Sequence, residues 1–257
     1  MFKSYNIPDI ITLNKIIGEN PTLKFSSAFN LNNPFELKFN INLNPFAEGQ
    51  EEAFFQQNPG SSKNDFWQWQ QQVSGNDGFT WHLEQNQRYA LFQSTTICSF
   101  TDKNNNSLMW SHYTNNHRGI CVKYSHTLFD MLSKAKGSLG YDKVQYSDTP
   151  PLIDTLESPD SKIKKMIFNK QSEWQYEQEH RVVLLSNNDT DFVPIEHKYF
   201  EGIYIGSKAD KETTSNTIGI CNKYNIPYYY GITNGKTYEV EFRTPKENIF
   251  YMRDFWI

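Results

Sequence analysis

The segment that most constrains the fold is residues 181–185, which reads Arg-Val-Val-Leu-Leu. Side chains alternate between the two faces of a strand, so an uninterrupted apolar run places apolar groups on both faces. That pattern is typical of a central strand covered on both sides. The rest of the chain is therefore expected to build a sheet around this segment.

Shorter strand and helix patterns alternate along the remaining sequence. The predicted strands are residues 23–27, 95–100, 119–124, 143–146, 204–206, 228–233 and 236–242, and the predicted helices are 10–18, 109–114, 127–136, 161–170 and 211–224. Asn234-Gly235 is predicted to turn the last two strands into a hairpin, because both residues tolerate positive φ. These elements predict an α+β fold: a single domain over residues 1–257 with a mixed, mostly antiparallel sheet flanked by short helices.

Residues 43–78 have a composition of their own. Gln, Asn and Gly surround Phe54, Phe66 and Trp69 there, which is typical of loops broken by short helices. This segment is predicted to be a lid or an insertion.

Composition excludes several classes of protein. Aromatic residues make up 16% and charged residues 21%, a mixture too aromatic for disorder and too polar for a membrane protein. The net charge of -4 provides no global basic field for nucleic acid. Without an apolar run of about 18 residues or a targeting pattern at its start, the chain is predicted to be cytosolic, with no membrane partner.

Cysteine and histidine spacing does not predict a metal site. Cys98, Cys121 and Cys221 are odd in number and far apart, so they are expected to be buried free thiols. His112 and His117 are five positions apart, unlike the pair four apart that binds zinc on one helical face. No metal cofactor is expected. Four lysines on the predicted basic helix are expected to form a solvated face: Lys162, Lys164, Lys165 and Lys170.

Several blocks of the sequence resemble a known family. They are residues 97–100 and 108–122, with further matches at residues 25–36 and 174–181. Together they resemble the bacterial domain-of-unknown-function 2971 family. The chain departs from that family at Asn33, where Asp is usual, and at Lys3-Ser4-Tyr5, where a basic Lys-Tyr-Arg start is usual. The family implies no activity, so function must be argued from the residues.

A pair of carboxylates precedes the central strand. If the strand begins at Glu177, then Glu177, Glu179 and Arg181 share one face, with Tyr176 and His180 on the other. Two carboxylates near a sugar can orient a hydroxyl and stabilise positive charge at an anomeric carbon. The alternative is an ordinary Glu-Arg ion pair at a strand edge.

The same residues resemble a second group of proteins. Glu177-x-Glu179, together with Ser99-Phe100-Thr101, is similar to the Glu-x-Glu and Ser-x-Ser/Thr arrangement of NAD-dependent ADP-ribosyltransferases. The resemblance implies a split sheet and NAD as substrate. It also implies that Glu179 bonds the ribose 2′-OH, that Glu177 helps the acceptor, and that Lys3 or Arg118 meets the pyrophosphate.

Aromatic and histidine side chains complete the predicted site. Trp110 or Tyr113 is expected to stack on nicotinamide. His112 is a candidate general base, although a half-buried structural histidine fits the same pattern. The site is predicted to join residues 110–118, including His117 and Arg118, with Glu177, Glu179 and Arg181.

The leading prediction is a bacterial cytosolic enzyme that acts on NAD or a related nucleotide. It would be an ADP-ribosyltransferase or NAD hydrolase with a protein or nucleic-acid acceptor, serving as a toxin or anti-phage effector with an antitoxin or phage-protein partner. One alternative is a non-enzymatic sensor that binds a ligand or phage protein. A second alternative is a metal-dependent nuclease, for which the sequence offers no complete ligand set.

Overall fold

The computed structural model describes residues 1–74, 76–234 and 236–248. Within that part of the chain the helices are α1 (Ile10–Ile17), α2 (Gln50–Gln57), α3 (Lys63–Ser74), α4 (Asp77–Ser94), α5 (Ser107–Tyr113), α6 (His126–Ser133), α7 (Pro159–Ile167) and α8 (Lys211–Tyr224). The strands are β1 (Phe2–Tyr5), β2 (Thr22–Ser27), β3 (Asn40–Asn42), β4 (Thr95–Thr101), β5 (Ile120–Tyr124), β6 (Ser138–Lys143), β7 (Gln145–Ser147), β8 (Leu152–Asp154), β9 (Asn169–Gln171), β10 (Glu179–Leu185), β11 (Thr190–Pro194), β12 (Phe200–Ile205), β13 (Tyr228–Thr233) and β14 (Val240–Arg243).

One large sheet organises the fold. Among the described residues it has ten strands, with the order β11-β2-β4-β1-β5-β12-β13-β14 and with β10 and β6 joined through β4. Every pairing in it is antiparallel except β12 with β13, which α8 connects. Two short parallel ladders, β3-β8 and β7-β9, lie beside it. The predicted α+β fold with a mixed, mostly antiparallel sheet is confirmed.

The sheet divides at β4. β10 pairs with the whole length of β4 on one edge, from Thr95 to Thr101. On the opposite edge, β2 pairs only at Thr96 and Ile97, and β1 pairs only at Thr101. Between these contacts β1 and β2 diverge, because both would otherwise occupy the same edge of β4. The strands nevertheless form one hydrogen-bonded sheet, and the ADP-ribosyltransferase-like split sheet stays a prediction.

β10 is the central strand that its sequence predicts. Val182 packs in the core that also contains α1, α6 and α8, and the next residue, Val183, packs in a second core on the other face. Both side chains are fully buried. Burial of each contributes about 1.5–3 kcal/mol to the free energy of folding. The position of Glu179 at the start of β10 is therefore fixed by a rigid strand.

Helix α1 is held against the sheet by its N-terminal cap and its apolar face. The Asp9 carboxylate accepts a hydrogen bond of 2.6 Å from the backbone N–H of Thr12, so Asp9 is the capping residue. Leu13, Ile16 and Ile17 form the buried face. Lys15 is thereby left on the exposed side of a helix whose position is fixed.

Residues 43–78 contain more helix than the sequence suggests. α2 and α3 pack through a cluster of aromatic rings, in which Phe54 lies 5.3 Å from Phe66 and 5.4 Å from Trp69 between ring centroids. Helix α4 follows directly, although its apolar residues show little helical periodicity. The lid or insertion stays a prediction for this segment.

Two elements have different bounds in the structure from those that the sequence predicts. The helix predicted over residues 161–170 is α7, which ends at Ile167, and Lys170 belongs to β9. The last hairpin exists, but Thr233 pairs with Val240, so residues 234–239 connect the strands and the second strand does not begin at Lys236. Gly235 of the predicted turn lies outside the described residues.

The helices of the described chain include none with both the length and the apolar character needed to cross a membrane. The cytosolic location stays a prediction.

Candidate functional site

A cavity of about 360 Å³ opens in the fork between β1 and β2. Its walls come from β1, β2, β4, α1 and α5, and its floor is formed by acidic and basic side chains that the core surrounds. Of the described residues between 43 and 78, none lines it. The divergence of the two strands therefore creates the space, and the side chains at the end of β4 and the start of β10 face it.

Five buried charged residues form one cluster at the floor. Arg181 donates to both Glu36 (2.8 Å) and Glu179 (2.8 Å from Nε). The Nζ atom of Lys170 lies 2.6 Å from Glu177, 3.0 Å from Glu179 and 3.5 Å from Glu36. Every member is less than 9% exposed. We call these residues the charged floor: Glu36, Lys170, Glu177, Glu179 and Arg181.

The charged floor holds one more negative charge than positive when all its members are ionised. It contains three carboxylates, one ammonium and one guanidinium. Burying charges is costly unless each is compensated. The excess is compensated either by a proton on one carboxylate or by a cationic group of a ligand in the cavity. Glu36 has the least satisfied oxygen of the three carboxylates, because its buried Oε1 accepts no hydrogen bond from the described residues and lies 3.5 Å from Lys170 Nζ.

Glu179 is the anchored carboxylate of the pair. It accepts hydrogen bonds from Ser99 Oγ (2.6 Å), Lys170 Nζ (3.0 Å), and the Nε and Nη2 atoms of Arg181 (2.8 and 3.1 Å). Burial alone raises the pKa of Glu179, but the charges of Arg181 and Lys170 outweigh burial and hold that pKa well below its usual value of 4.5. Glu179 is thus ionised, with each oxygen accepting two donors.

Glu177 is the less saturated carboxylate. Its Oε1 accepts the hydroxyl proton of Tyr113, and its Oε2 accepts from Lys170 at 2.6 Å. Burial raises the pKa of Glu177 above its usual value of 4.5, and the neighbouring Glu179 charge adds to this rise, against the opposing effect of Lys170. Glu177 is therefore the carboxylate that can exchange a proton.

The route by which Glu177 reaches the floor differs from the expected strand geometry. Glu177 ends a 3₁₀ helix, Gln178 adopts the left-handed conformation with φ 45°, and β10 begins at Glu179. A left-handed residue is unusual for a side chain other than glycine or asparagine. Glu177, Glu179 and Arg181 are brought together as predicted, although the turn at Gln178 and not a continuous strand brings Glu177 there.

Lys3 lies at the cavity as predicted. Its Nζ donates to the carbonyl oxygen of Ser99 at 2.8 Å, across the gap that separates β1 from β4. The same ammonium lies 5.5 Å from the ring centroid of Phe100, in cation–π range. Ser99 and Tyr113 line the cavity together with Lys3.

Trp110 and His117 lie outside the cavity lining. Trp110 is 1% exposed, and its ring packs 5.7 Å from that of Phe242 between centroids. His117 stacks on Trp110 and contacts Ser111 at 3.3 Å. Neither lines the cavity, so the expected stacking of Trp110 on nicotinamide is wrong for this geometry: the apolar face of α5 turns the indole into the core.

His112 and Arg118 are also separate from the cavity. His112 is exposed and contacts the rings of Tyr113 and Tyr176. Arg118 is exposed in the turn that leads into β5. Arg181 is fully buried behind Glu179 and does not line the cavity either. Of the three, only Arg181 joins the charged floor, where it fixes a carboxylate.

Sequence reasoning missed two members of the charged floor. Glu36 lies in the block of residues 25–36 that resembles the family, but its role as a partner of Arg181 depends on a contact across 145 residues. Lys170 looks like part of a solvated lysine tract, and that expectation is wrong for it. It is buried because β9 pairs with β7 and places its ammonium among three carboxylates.

Among the described residues, no group of three or more His, Cys, Asp and Glu side chains could hold a metal ion. The cysteines are buried free thiols, as predicted.

Comparison with known proteins supports one of the two resemblances. A family model described as "Protein of unknown function (DUF2971)" matches residues 109–182. The chain is similar to that family over this segment, as its sequence predicts, and the segment carries Tyr113, Lys170, Glu177, Glu179 and Arg181. No curated protein and no solved structure matches the chain. The similarity to ADP-ribosyltransferases has no support from these comparisons.

Proposed function

We propose that this protein is an enzyme that acts on NAD or a related nucleotide and breaks the bond between nicotinamide and ribose. The observation that carries the proposal is the excess negative charge of the charged floor, buried at the end of a cavity. Such a floor favours a ligand with a positive centre. The nicotinamide ring of NAD is cationic, and its departure leaves positive charge on the ribose.

The negative charge of the charged floor would stabilise the positive charge that develops when the bond between nicotinamide and ribose breaks. The bond between the nicotinamide nitrogen and the anomeric carbon breaks, and nicotinamide leaves as a neutral molecule with the bonding electron pair. The anomeric carbon becomes electron-poor and is stabilised by the nearby carboxylates. Water or an acceptor group then bonds to that carbon, and its proton passes to a carboxylate.

The contacts suggest a division of roles that differs from the one the resemblance implies. Glu179 already accepts four hydrogen bonds, so we assign it the role of an ionised anchor. Glu177 has spare acceptor capacity and a raised pKa, so we assign it the proton transfer. Glu36 is bonded to Arg181 and lies 3.5 Å from Lys170 Nζ, so we assign it the role of holding these two cations in place.

The experiment is to incubate the purified protein with NAD and measure nicotinamide release. Wild type is expected to release nicotinamide, and Glu177→Gln is expected to lower the rate by about 100-fold or more, the usual contribution of a positioned acid or base. Glu173→Gln is the matched control, because Glu173 is exposed in the same 3₁₀ helix and does not line the cavity. A folded wild-type protein that releases no nicotinamide would contradict the proposal.

The same reaction can separate transferase from hydrolase. Protein and nucleic-acid fractions of a lysate, incubated with labelled NAD, would carry ADP-ribose if the enzyme transfers it, whereas free ADP-ribose alone indicates a hydrolase. We further propose a cytosolic role as a toxin or anti-phage effector, with an antitoxin or a phage protein as partner. Loss of cellular NAD on expression of wild type, but not of Glu177→Gln, would support that role.

A sensor is the second candidate. The dense bonding of Glu179 favours it, because a carboxylate that accepts four hydrogen bonds is held rigidly and is already satisfied. A sensor would bind its ligand stoichiometrically in the same cavity and form no product. Binding of NAD without nicotinamide release would favour this candidate.

A further inference from the structure

We propose that Lys15 and Lys24 form a phosphate-binding subsite at the mouth of the cavity, so that the ligand carries a diphosphate and is not a free nucleoside. This inference rests on the proposed function for the identity of the ligand's other end. The outer half of the cavity would bind the diphosphate of the ligand through Lys15 and Lys24.

Charge is segregated along the cavity. All the acidic side chains that line it belong to the charged floor, which is buried. The remaining charged residues of the lining are Lys3, Lys15 and Lys24, and the last two are exposed at the mouth. This concentration of positive charge occurs in a chain whose net charge is -4. The cavity therefore suits a ligand with a cationic end inside and an anionic end outside.

The two outer lysines are unpaired among the described residues. Lys165, for comparison, lies 2.5 Å from Glu157, and Lys123 lies 3.0 Å from Glu201. Within the described ranges, no carboxylate forms an ion pair with Lys15 or Lys24, and Lys15 has only a longer-range electrostatic interaction with Asp9. Their charges are thus available to a ligand.

Both lysines are held on fixed elements that meet beside the cavity. Lys15 lies on α1, which Asp9 caps, and Lys24 lies on β2, which pairs with β4 and β11. The hydroxyl of Thr22 donates to the backbone carbonyl of Lys15 at 3.3 Å and ties the end of α1 to β2. Lys15 and Lys24 consequently line the same cavity from neighbouring elements.

Lysine suits this task. An ammonium is a compact point charge with three donors on a flexible stem, and it binds phosphate without requiring one orientation. Because both side chains are exposed, their attraction for phosphate is screened by salt and acts mainly at low ionic strength. Lys3 lies deeper and is already bonded to Ser99, so it would contribute charge to the subsite more than a direct contact.

The test compares three ligands by calorimetry: NAD, ADP as a diphosphate probe, and nicotinamide riboside, which has no phosphate. The variant is Lys15→Gln with Lys24→Gln. The matched control is Lys136→Gln with Lys211→Gln, two exposed lysines outside the cavity lining. At low salt we expect the variant to lose about tenfold or more in affinity for NAD and ADP and nothing for the riboside. The control should bind all three as wild type does.

Two results would overturn the subsite: wild-type affinity of the variant for ADP and NAD at low salt, or no binding of ADP to wild type. The proposed function fails separately. If ADP binding needs the two lysines but wild type releases no nicotinamide, then the subsite stands and the enzymatic proposal falls. If the variant releases nicotinamide with an unchanged KM, then the enzymatic proposal stands and the subsite falls.

Discussion

Glu177 and Glu179 are separated by one residue, yet their pKa values are shifted in opposite directions. Glu179 meets Arg181, Lys170 and Ser99, and its pKa is lowered, whereas burial raises the pKa of Glu177. The contrast arises from the number of donors that each carboxylate meets and not from burial, since both are 3% exposed. Such a divergence between neighbouring carboxylates is frequent where one of them exchanges a proton during a reaction.

The two opposite pKa shifts predict how stability depends on pH. The folded state binds a proton on Glu177 more tightly than the unfolded chain does, so stability rises as the pH falls through the raised pKa of Glu177 towards 4.5. Glu179 acts in reverse: its contribution is present above 4.5 and is lost as the pH falls further. Urea unfolding across pH 3–8 should therefore show a gain in stability from Glu177 on mild acidification and a loss from Glu179 in stronger acid.

Glu177→Gln should remove the rise in stability on mild acidification and keep the loss in stronger acid. Glu173→Gln, on the exposed side of the same 3₁₀ helix, should retain both. A Glu177→Gln variant with the full wild-type rise would contradict the assignment of the raised pKa to Glu177.

Lys170 should matter to stability far more than a surface lysine does. Lys170→Met leaves three buried carboxylates with Arg181 as the remaining cation, and removing one partner of a buried charge cluster costs about 3–5 kcal/mol. Lys165→Met breaks the more exposed pair with Glu157 and should cost less than about 1 kcal/mol. Urea denaturation measures both. Equal effects would show that the ammonium is not needed by the charged floor.

The thiols should be unreactive in the folded protein. Cys98, Cys121 and Cys221 are all buried, and burial raises the pKa of Cys121 and Cys221 to about 12. Because the thiolate is the reactive form, a thiol reagent at pH 8 should titrate almost none of them within minutes and all three in urea. Rapid reaction of one thiol in native conditions would show that its surroundings open.

At the residue scale the sequence predicts near contacts better than distant ones. The proximity of Glu179 and Arg181 follows from their spacing in β10, whereas Glu177 reaches them through the turn at Gln178. Glu36 and Lys170 could not be assigned in the same way, because their places in the charged floor depend on which loops and short strands meet across the fold. A charged residue carries no local signal of whether its partner lies in solvent or in the core.

At the scale of elements, the close contact between β1 and β5 depends on Gly119. A Cβ atom there would lie 2.0 Å from the carbonyl oxygen of Tyr5, whose strand partner is Ile120. Gly119→Ala should therefore push β1 away from β5 and cost about 1–3 kcal/mol, the usual range for overpacking. It should also weaken any ligand binding in the cavity, because β1 forms one wall.

Gly219 provides the control for that prediction. It lies inside α8, and a Cβ atom there would meet nothing within 4 Å. Gly219→Ala should stabilise the protein by about 0.5–1 kcal/mol, because alanine favours a helix. Thermal or urea unfolding of both variants tests the pair. Destabilisation by Gly219→Ala, or none by Gly119→Ala, would be inconsistent with the packing.

Elements with clear periodicity are those that the sequence predicts well. Helices α1 and α8 and strands β4, β5 and β10 agree closely with expectation, since each has caps or apolar spacing of its own. β1 was not indicated, because its four residues have half-buried side chains and no marked alternation. α4 was missed for a related reason: its apolar residues are spread around the helix. Such elements are stabilised by tertiary contacts more than by local preference.

At the scale of the whole molecule, the fold class could be predicted but the branching of the sheet could not. The number of strands and the antiparallel hairpins limit the choice of architecture. That β4 accepts β10 on one edge, and both β1 and β2 on the other, is decided by which strand reaches that edge. The cavity is a property of this topology, so neither its place nor its size is visible in any single segment.

The branched sheet also has a consequence for the order of events on the ribosome. The walls β1, β2 and β4 and the carboxylate of Glu36 all belong to the first 101 residues, whereas Lys170 and Arg181 are translated much later. Domains generally fold as units as they emerge from the ribosome. A nascent chain that ends before β9 therefore lacks both cations of the charged floor, and a chain that ends before β10 still lacks Arg181. Under the proposed function, we expect translation products that end before β10 to release no nicotinamide, because their cavity lacks the guanidinium that holds Glu179.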